Sequence, residues 1–429
     1  MRRVLLIATA LFLLSAQAAH AAKGMEIAVQ DDPVFLTQSY FDRERALQNA
    51  RDIGVTRIRV NMIWANVVNG AKDKKQPAPV VYDWAPFDGL IDAAARYGIR
   101  VQLTLTGSAP AWGASDRRSG VYGPKATSFG AFTRAAALHF KGRVDRYSVW
   151  NEPNYVSWMQ PLAKAPALYR ELYLAAYKQI KRSDRGAQVL MGETAPYAIR
   201  KRSIAPLEFL RDVTCAVGSG TATGGGGTGA LDPGVDPGDP DTAKIVAAAA
   251  KAKPPKLTRG PCAPLKADGF AHHPYDYRHK PDYAYKGSDN ATLGSLTRLT
   301  GTLQSLAQIR ALRTGKGKPL PVYLTEYGYF QSGKYAVDPN VRSAYLRQAY
   351  TLALRTPGVV QMLQFGLVTP PPNFVGGYFD LSIVRLDGSP TTGYESLKSW
   401  AAAAAARGQI KVPGGPIALP PAPAGRRKR

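Results

Sequence analysis

Tyr147-Ser-Val-Trp-Asn-Glu-Pro-Asn154 sets a β-branched and aromatic run against an abrupt stop, with a glutamate where the run ends and a turn begins. Val322-Tyr-Leu-Thr-Glu-Tyr-Gly-Tyr329 repeats the design far downstream. Glu152 and Glu326 are therefore expected at two strand ends facing one site. A pair of carboxylates so placed suits glycosidic bond cleavage, in which one protonates the leaving oxygen and the other attacks the anomeric carbon.

Working outward, strands are expected over Met25–Gln30, Thr56–Ile63, Arg100–Thr106, Val144–Trp150, Ala187–Gly192, Asp268–His273, Pro321–Thr325 and Val359–Phe365. Helical patterns separate them at Asp42–Ile53, Phe87–Tyr97, Ser128–Phe140, Ala167–Ser183, Leu293–Leu312, Pro339–Leu354 and Tyr394–Ala406, and the eighth position, after the fifth strand, is filled in part by Pro206–Val213. Gly54, Gly98, Gly142 and Gly186 follow helices and precede strands, where left-handed caps are expected. Regular strand–helix alternation specifies a parallel sheet covered by helices, here an α/β (β/α)8 TIM barrel spanning residues 22–408. A doubly wound open sheet is the alternative, because periodicity does not report closure.

Arg2 and Arg3 precede the apolar run Val4–Leu14 and the small-residue site Ala19-His-Ala21, so residues 1–21 read as a cleaved secretory signal and the mature chain as a secreted protein, extracellular or periplasmic. No later stretch is long and apolar enough for a transmembrane segment. Cys215 and Cys262, the two cysteines of the chain, are expected to pair in an oxidising compartment and to close a flexible Gly/Pro-rich insertion over 216–261. Unpaired buried thiols are the alternative. Residues 409–429, ending Arg-Arg-Lys-Arg, read as a disordered Pro-rich basic tail. The formal charge is +25; removing the six basic residues of the two ends leaves +19, a surface suited to an anionic polysaccharide or cell envelope, or simply to solvation. Phosphate-loop, nucleotide-fold and zinc spacings are absent from the sequence, and neither a cofactor, a metal nor a nucleic acid is expected as a partner. Oligomeric state has no sequence signal.

Asn151-Glu152-Pro153 on the fourth strand with Thr325-Glu326-Tyr-Gly328 on the seventh resembles the clan of (β/α)8 retaining glycoside hydrolases that includes cellulase-like family 5 and xylosidase-like family 39. Arg59, in Arg59-Val-Asn-Met-Ile-Trp64, is similar to the clan's second-strand arginine, and His273 and Tyr275 to its sixth-strand His-x-Tyr. Phe379-Asp-Leu-Ser-Ile-Val-Arg-Leu-Asp-Gly-Ser-Pro390 before the last helix is similar too. The resemblance implies Glu152 as general acid/base, Glu326 as nucleophile, Asn151 on the substrate 2-hydroxyl, and β-linked carbohydrate as substrate. Arg59 and Tyr275 are expected to hold Glu326 ionised, since a positive partner and hydrogen bonds to the charged form lower a carboxyl pKa.

Other groups compete. Glu193 closes the fifth strand and is the first reserve as a catalytic carboxylate; Asp31 or Asp32 could reach the mouth from the first strand. His272, adjacent to His273, should face the opposite side and serve packing, and His139 and His279 have no expected role. Trp64 and Trp112, directly after the second and third strands, are expected as sugar-stacking platforms, with Tyr155, Trp158, Tyr329, Phe330, Phe374 and Tyr378 as further rim aromatics. Many clan members end the eighth strand on tryptophan, whereas this chain reads Gln361-Met-Leu-Gln-Phe365, which leaves Phe365 as the apolar floor and the sugar's identity open. The expected activity is secreted retaining hydrolysis of a β-linked poly- or oligosaccharide; an inert glycan-binding barrel and a transglycosylase with the same residues are the alternatives.

Overall fold

The computed structural model describes residues 24–116, 120–218, 254–376 and 379–423. Eight parallel strands, β1 Glu26–Gln30, β2 Arg57–Ile63, β3 Arg100–Thr106, β4 Arg146–Val149, β5 Gln188–Thr194, β6 Gly269–His272, β7 Val322–Leu324 and β8 Val359–Phe365, fall on the eight expected segments. β1 pairs with both β2 and β8, so the sheet is a closed barrel and the open alternative is excluded.

Among the described residues, eight helices of 9 or more residues follow in chain order: α1 Arg43–Asp52, α2 Ala85–Arg96, α3 Ala126–His139, α4 Ala165–Ser183, α5 Pro206–Thr214, α6 Leu296–Gln308, α7 Pro339–Arg355 and α8 Thr392–Ala406. Their starts are written locally. Asp42 accepts from the Arg45 amide at 2.8 Å, Asp338 caps α7, and proline occupies the first turn of α2, α4, α5 and α7, where no donor is lost. Gly54, Gly98 and Gly142 take positive φ as expected. Gly186 does not; α4 is instead closed by Asp184, whose side chain accepts from the Gly186 amide at 3.1 Å.

Strand alternation sorts the side chains. Ile27, Val29, Ile58, Val60, Val101, Leu103, Tyr147 and Val149 point outward into the main core beneath the helices. The interior carries polar residues instead, stacked in layers. Gln102 and Thr104 bond Ser148 at 3.1 and 3.0 Å in the middle of the barrel.

At the barrel's N-terminal end, Glu26 meets Arg146 at 2.6 Å, Arg57 at 3.3 Å and Lys411 at 3.2 Å. Burial alone would raise the Glu26 pKa, but these cations outweigh it and hold the carboxyl well below the usual range. The stabilisation from a depressed carboxyl is complete above its unfolded pKa, about 4.3, and is lost as pH falls toward the folded value. We expect the melting temperature of Glu26→Gln to vary less between pH 5 and 3 than that of the wild type, measured by calorimetry; parallel curves would show that Glu26 is not an acid-sensitive lock.

Two boundaries differ from expectation. The chain does not leave the barrel at 409: Lys411 N donates to Met25 O at 3.0 Å, Ile417 N to Ala95 O at 2.9 Å, and Arg51 to Gly414 O at 2.9 Å. Residues 409–419 thus strap the N-terminal face, because their amides find carbonyl partners there; only 424–429 of the expected tail lies outside the described residues. The Cys215–Cys262 pair is bonded, with Cα atoms 5.8 Å apart, beside a short antiparallel pairing of Ala216–Val217 with Thr258–Arg259. The expected insertion is accordingly shorter; its centre, 219–253, and the expected signal, 1–21, lie outside the described residues.

Candidate active site

The C-terminal mouth of the barrel gathers Arg59, Asn151, Glu152, Glu193, His273, Tyr275 and Glu326 into one hydrogen-bonded unit. β4 ends at Val149, and the chain then turns through positive φ at Trp150 (67°) and Glu152 (36°), a conformation that a non-glycine residue adopts only when its surroundings hold it there. Two anchors do so here. Glu152 N donates to Glu193 O at 2.8 Å, and Asn154 grips the β5 loop, accepting from Ala195 N at 2.9 Å and donating to Ala195 O at 3.1 Å.

Arg59 lies at the floor, fully buried. Its Nη1 donates to Glu326 Oε1 at 2.8 Å, Nη2 to Asn151 Oδ1 at 2.7 Å and Nε to Glu193 Oε1 at 3.3 Å, and Gln30 Oε1 also accepts from Nη1. Tyr275 donates to the second Glu326 oxygen at 3.1 Å. His273 Nε2 meets Glu193 at 2.9 Å, while Nδ1 meets Glu152 at 3.0 Å and lies 3.6 Å from Glu326. The expected residues Arg59, Asn151, Glu152, His273, Tyr275 and Glu326 are thus brought together.

Glu193, the reserve candidate, does not open to the mouth. Plain alternation would aim it outward, but a register shift between Gly192 and Thr194 turns it into the barrel, where it is fully buried. Gly192 makes the turn possible: its φ is 112°, and a Cβ there would meet Ala271 O at 2.4 Å. Burial would raise the Glu193 pKa, but Arg59 and His273 outweigh it and lower it to about 2. Glu193 is therefore a permanent anion that orients the arginine and the histidine, with Thr325 donating to it as well.

The same charges act on the histidines. Burial alone would lower the His273 pKa, but Glu326, Glu152 and Glu193 push it up to about 9, so the ring is a cation donating at both nitrogens. His272 behaves as expected of a packing residue: buried between Thr194 and Ala291 O, its pKa falls to about 3. For Glu326 the expected depression is corrected. Burial pushes its pKa up, and Glu152 and Glu193 add to that, against the opposing pull of His273 and Arg59.

One ligand atom each of Glu152, His273 and Glu326 lie within 4.8 Å of one another, so the three could also surround a cation. Arg59 on Glu326 and a protonated His273 oppose that use.

Two expected platforms are corrected. Trp64 is fully buried and stacks on Phe132, with centroids 5.7 Å apart, and Trp112 packs edge-on against Trp64 at 5.3 Å with 5% of its surface exposed. Both fill the aromatic core beneath the rim, and neither presents a free ring face. Tyr329 and Phe330 are buried too, Tyr155, Trp158 and Phe374 are half-buried, and Tyr378 lies outside the described residues. Phe365 is half-buried and lines a cavity beside the site. The half-buried tyrosines 197, 277 and 285, with Tyr197 stacked on Tyr285 at 4.8 Å, were not anticipated; the only sequence signal was Tyr277 lying two residues past Tyr275.

No protein-family model matches the chain, and no curated protein matches it. Solved structures do resemble it in fold. A family 39 glycoside hydrolase from the gut symbiont Bacteroides cellulosilyticus WH2 superposes with TM-score 0.56 and 18% identity, covering 89% of this chain and 64% of that one, so the present chain spans less than two thirds of its length. A monomeric β-xylosidase from Caulobacter crescentus CB15 gives 0.51 and 18% over 88% and 69% of the two chains. Native xylanase 10B from Thermotoga maritima gives 0.51 and 14% over 90% and 97%. The chain shares its (β/α)8 barrel with these glycoside hydrolases.

Proposed function

We propose that this protein is a retaining glycoside hydrolase acting on β-linked carbohydrate, with Glu326 as nucleophile and Glu152 as general acid/base. The observation that carries this reading is the placement of Glu152 and Glu326 carboxylate oxygens within 4.8 Å of each other at the barrel mouth. Double displacement uses carboxyl groups about 5–5.5 Å apart, whereas inverting enzymes separate them by about 6.5–9.5 Å to admit a water.

The charges divide the roles. Three carboxylates, Glu152, Glu193 and Glu326, face two cations, Arg59 and His273. Glu326 receives Arg59 and Tyr275 on its two oxygens, which favours the anion there. Glu152, whose side chain is 16% exposed at the mouth, is the carboxyl placed to meet the leaving oxygen. In the first step Glu326 attacks the anomeric carbon, Glu152 gives its proton to the glycosidic oxygen, the C–O bond breaks and a glycosyl ester forms on Glu326. In the second, Glu152 takes a proton from water as that water attacks the same carbon and frees Glu326. Asn151, held through Oδ1 by Arg59, has its amide NH2 for the 2-hydroxyl. A sugar hydroxyl in place of water would make the second step a transglycosylation.

Export is proposed with this activity, supported by the Cys215–Cys262 bond; no described helix is long and apolar enough to cross a membrane. The basic surface supports approach by an anionic polysaccharide, and Arg202 and Arg278 lie over the rings of Tyr155 and Tyr335 at 5.5 and 5.2 Å.

The test varies the leaving group. Glu152→Gln should lose about 10²–10⁴-fold in kcat on glycosides with a poor leaving group and much less on 2,4-dinitrophenyl glycosides, which depart without a proton. Equal losses on both would refute the acid assignment, and wild-type binding without turnover across a broad β-glycoside panel would make the protein a glycan-binding barrel.

A further inference from the structure

Beside the catalytic pair, between the ends of β1, β2 and β8, lies a cavity of about 260 Å³ walled by Gln30, Asp32, Asn61, Phe365, Phe374 and Phe379. Its charge runs against that of the chain. The protein carries +25, yet among the described residues the cavity lining includes Asp31, Asp32 and Asp380 and not one lysine, arginine or histidine.

The three carboxylates differ in what they have left to offer. Asp31 is committed to the backbone, accepting from Leu367 N and Val368 N at 3.0 Å each. Asp380 is taken up by Ser382 and by Ser332 at 3.0 Å. Asp32 accepts one donor on each oxygen, Gln30 Nε2 at 3.2 Å and Asn61 N at 3.2 Å, while a carboxylate has about four lone-pair sites. Next to it, Asn61 Oδ1 is buried without a hydrogen-bond partner. Asp32 and Asn61 thus keep unused acceptor capacity, and a ligand that supplies donors satisfies it.

The cavity is wired to the reacting centre. Gln30 receives Arg59 on its oxygen and gives its amide to Asp32, and Arg59 in turn holds Glu326. Phe365, Phe374 and Phe379 add apolar surface of the kind that packs on the C–H faces of a sugar ring.

We propose that this cavity is the subsite for the sugar on the nucleophile side of the scissile bond, and that it selects a sugar bearing a free amino group, with Asp32 as the specificity-determining residue. An ammonium group supplies three donors and the missing positive charge. A uronate at the same place meets three carboxylates, and an N-acetyl group brings one donor and no charge. Burial pushes the Asp32 pKa up to about 7, a cost that a bound cation removes. The proposal rests on the glycosidase reading for where the reacting bond lies, but binding tests it without turnover.

Calorimetric titration on Glu152→Gln, with and without Asp32→Asn, would use four β-linked oligosaccharides: of glucosamine, N-acetylglucosamine, glucose and glucuronate. The amine should bind at least ~10-fold more tightly than the others, and Asp32→Asn should remove that advantage while leaving the glucose oligomer within about twofold. Phe374→Ala, on another wall, should weaken all of the sugars that bind to similar extents. Tighter uronate or N-acetyl binding, no amine binding, or an amine preference surviving in Asp32→Asn would overturn the proposal. Absence of wild-type hydrolysis would count against the glycosidase reading and not against this one.

Discussion

Glu326→Gln should lose on the order of 10⁵-fold or more in kcat, because removing a nucleophile removes the covalent route itself. The replacement is nearly isosteric, and it leaves Arg59 and Tyr275 where they stand, so the loss should come without unfolding. An anionic nucleophile in solution provides a sharper readout. Azide added to Glu326→Gly should restore turnover of an activated β-glycoside and yield the α-glycosyl azide, since attack on the face vacated by Glu326 inverts the anomeric centre once. Azide added to Glu152→Gly should yield the β-glycosyl azide, because the enzyme ester forms first. If both variants gave the same anomer, the assignment of roles would be wrong. The pH profile should agree: burial raises the Glu326 pKa, the nucleophile must be ionised, and so activity should fall on the acid side at a pH above the usual glutamate value.

Arg59→Ala is expected to be the most destabilising single change in the site, by about 3–5 kcal/mol, because it strands buried carboxylates without their cation. Glu193 is fully buried and Glu326 is 7% exposed, and both rest on this guanidinium, with His273 as their second cation; Arg59 also orients Asn151 and Gln30. Set against a total stability of about 5–15 kcal/mol, that is a large share. Denaturant unfolding would measure it, and activity would fall as well, since Glu326 would lose the charge that favours its anion. Arg59→Lys should recover little, because a point charge does not reach Glu193, Glu326 and Asn151 at once. Combining Arg59→Met with Glu193→Leu should be less destabilising than Arg59→Ala, since it removes the stranded charge with its partner. A stability loss in Arg59→Ala of less than about 1 kcal/mol would mean that water reaches these groups and that the site is not held as described.

Much of this was readable in one dimension, for identifiable reasons. Period-two runs such as Arg57–Ile63 and Arg100–Thr106 show an apolar face and a polar face, so strand position and direction follow from neighbours in the chain. Glu152 and Glu326 were legible because each closes such a run, and His273 was separable from His272 because adjacent strand residues face opposite sides. Helix starts at Asp42 and Asp338 were local too, since the cap and the amides it serves lie within three residues.

What escaped the reading depended on distant contacts. Glu193 faces the interior because of a bulge against β6, and in Met191-Gly-Glu-Thr194 only the glycine permits it, without saying where the shift falls. Trp64 and Trp112 look like rim platforms until α3 brings Phe129 and Phe132 against Trp64, which in turn packs on Trp112. The 409–419 strap reads as tail because its partners, Met25, Arg51 and Ala95, lie hundreds of residues earlier. The sequence by itself determined the strand and helix pattern, and with it the strand ends that carry the two glutamates, because hydrophobic period and capping act over a few residues. Closure of the barrel, the burial of Glu193, the direction of the Glu326 pKa and the acidic cavity around Asp32 were decided by tertiary structure alone, because burial and Coulomb interactions depend on distance through space rather than along the chain.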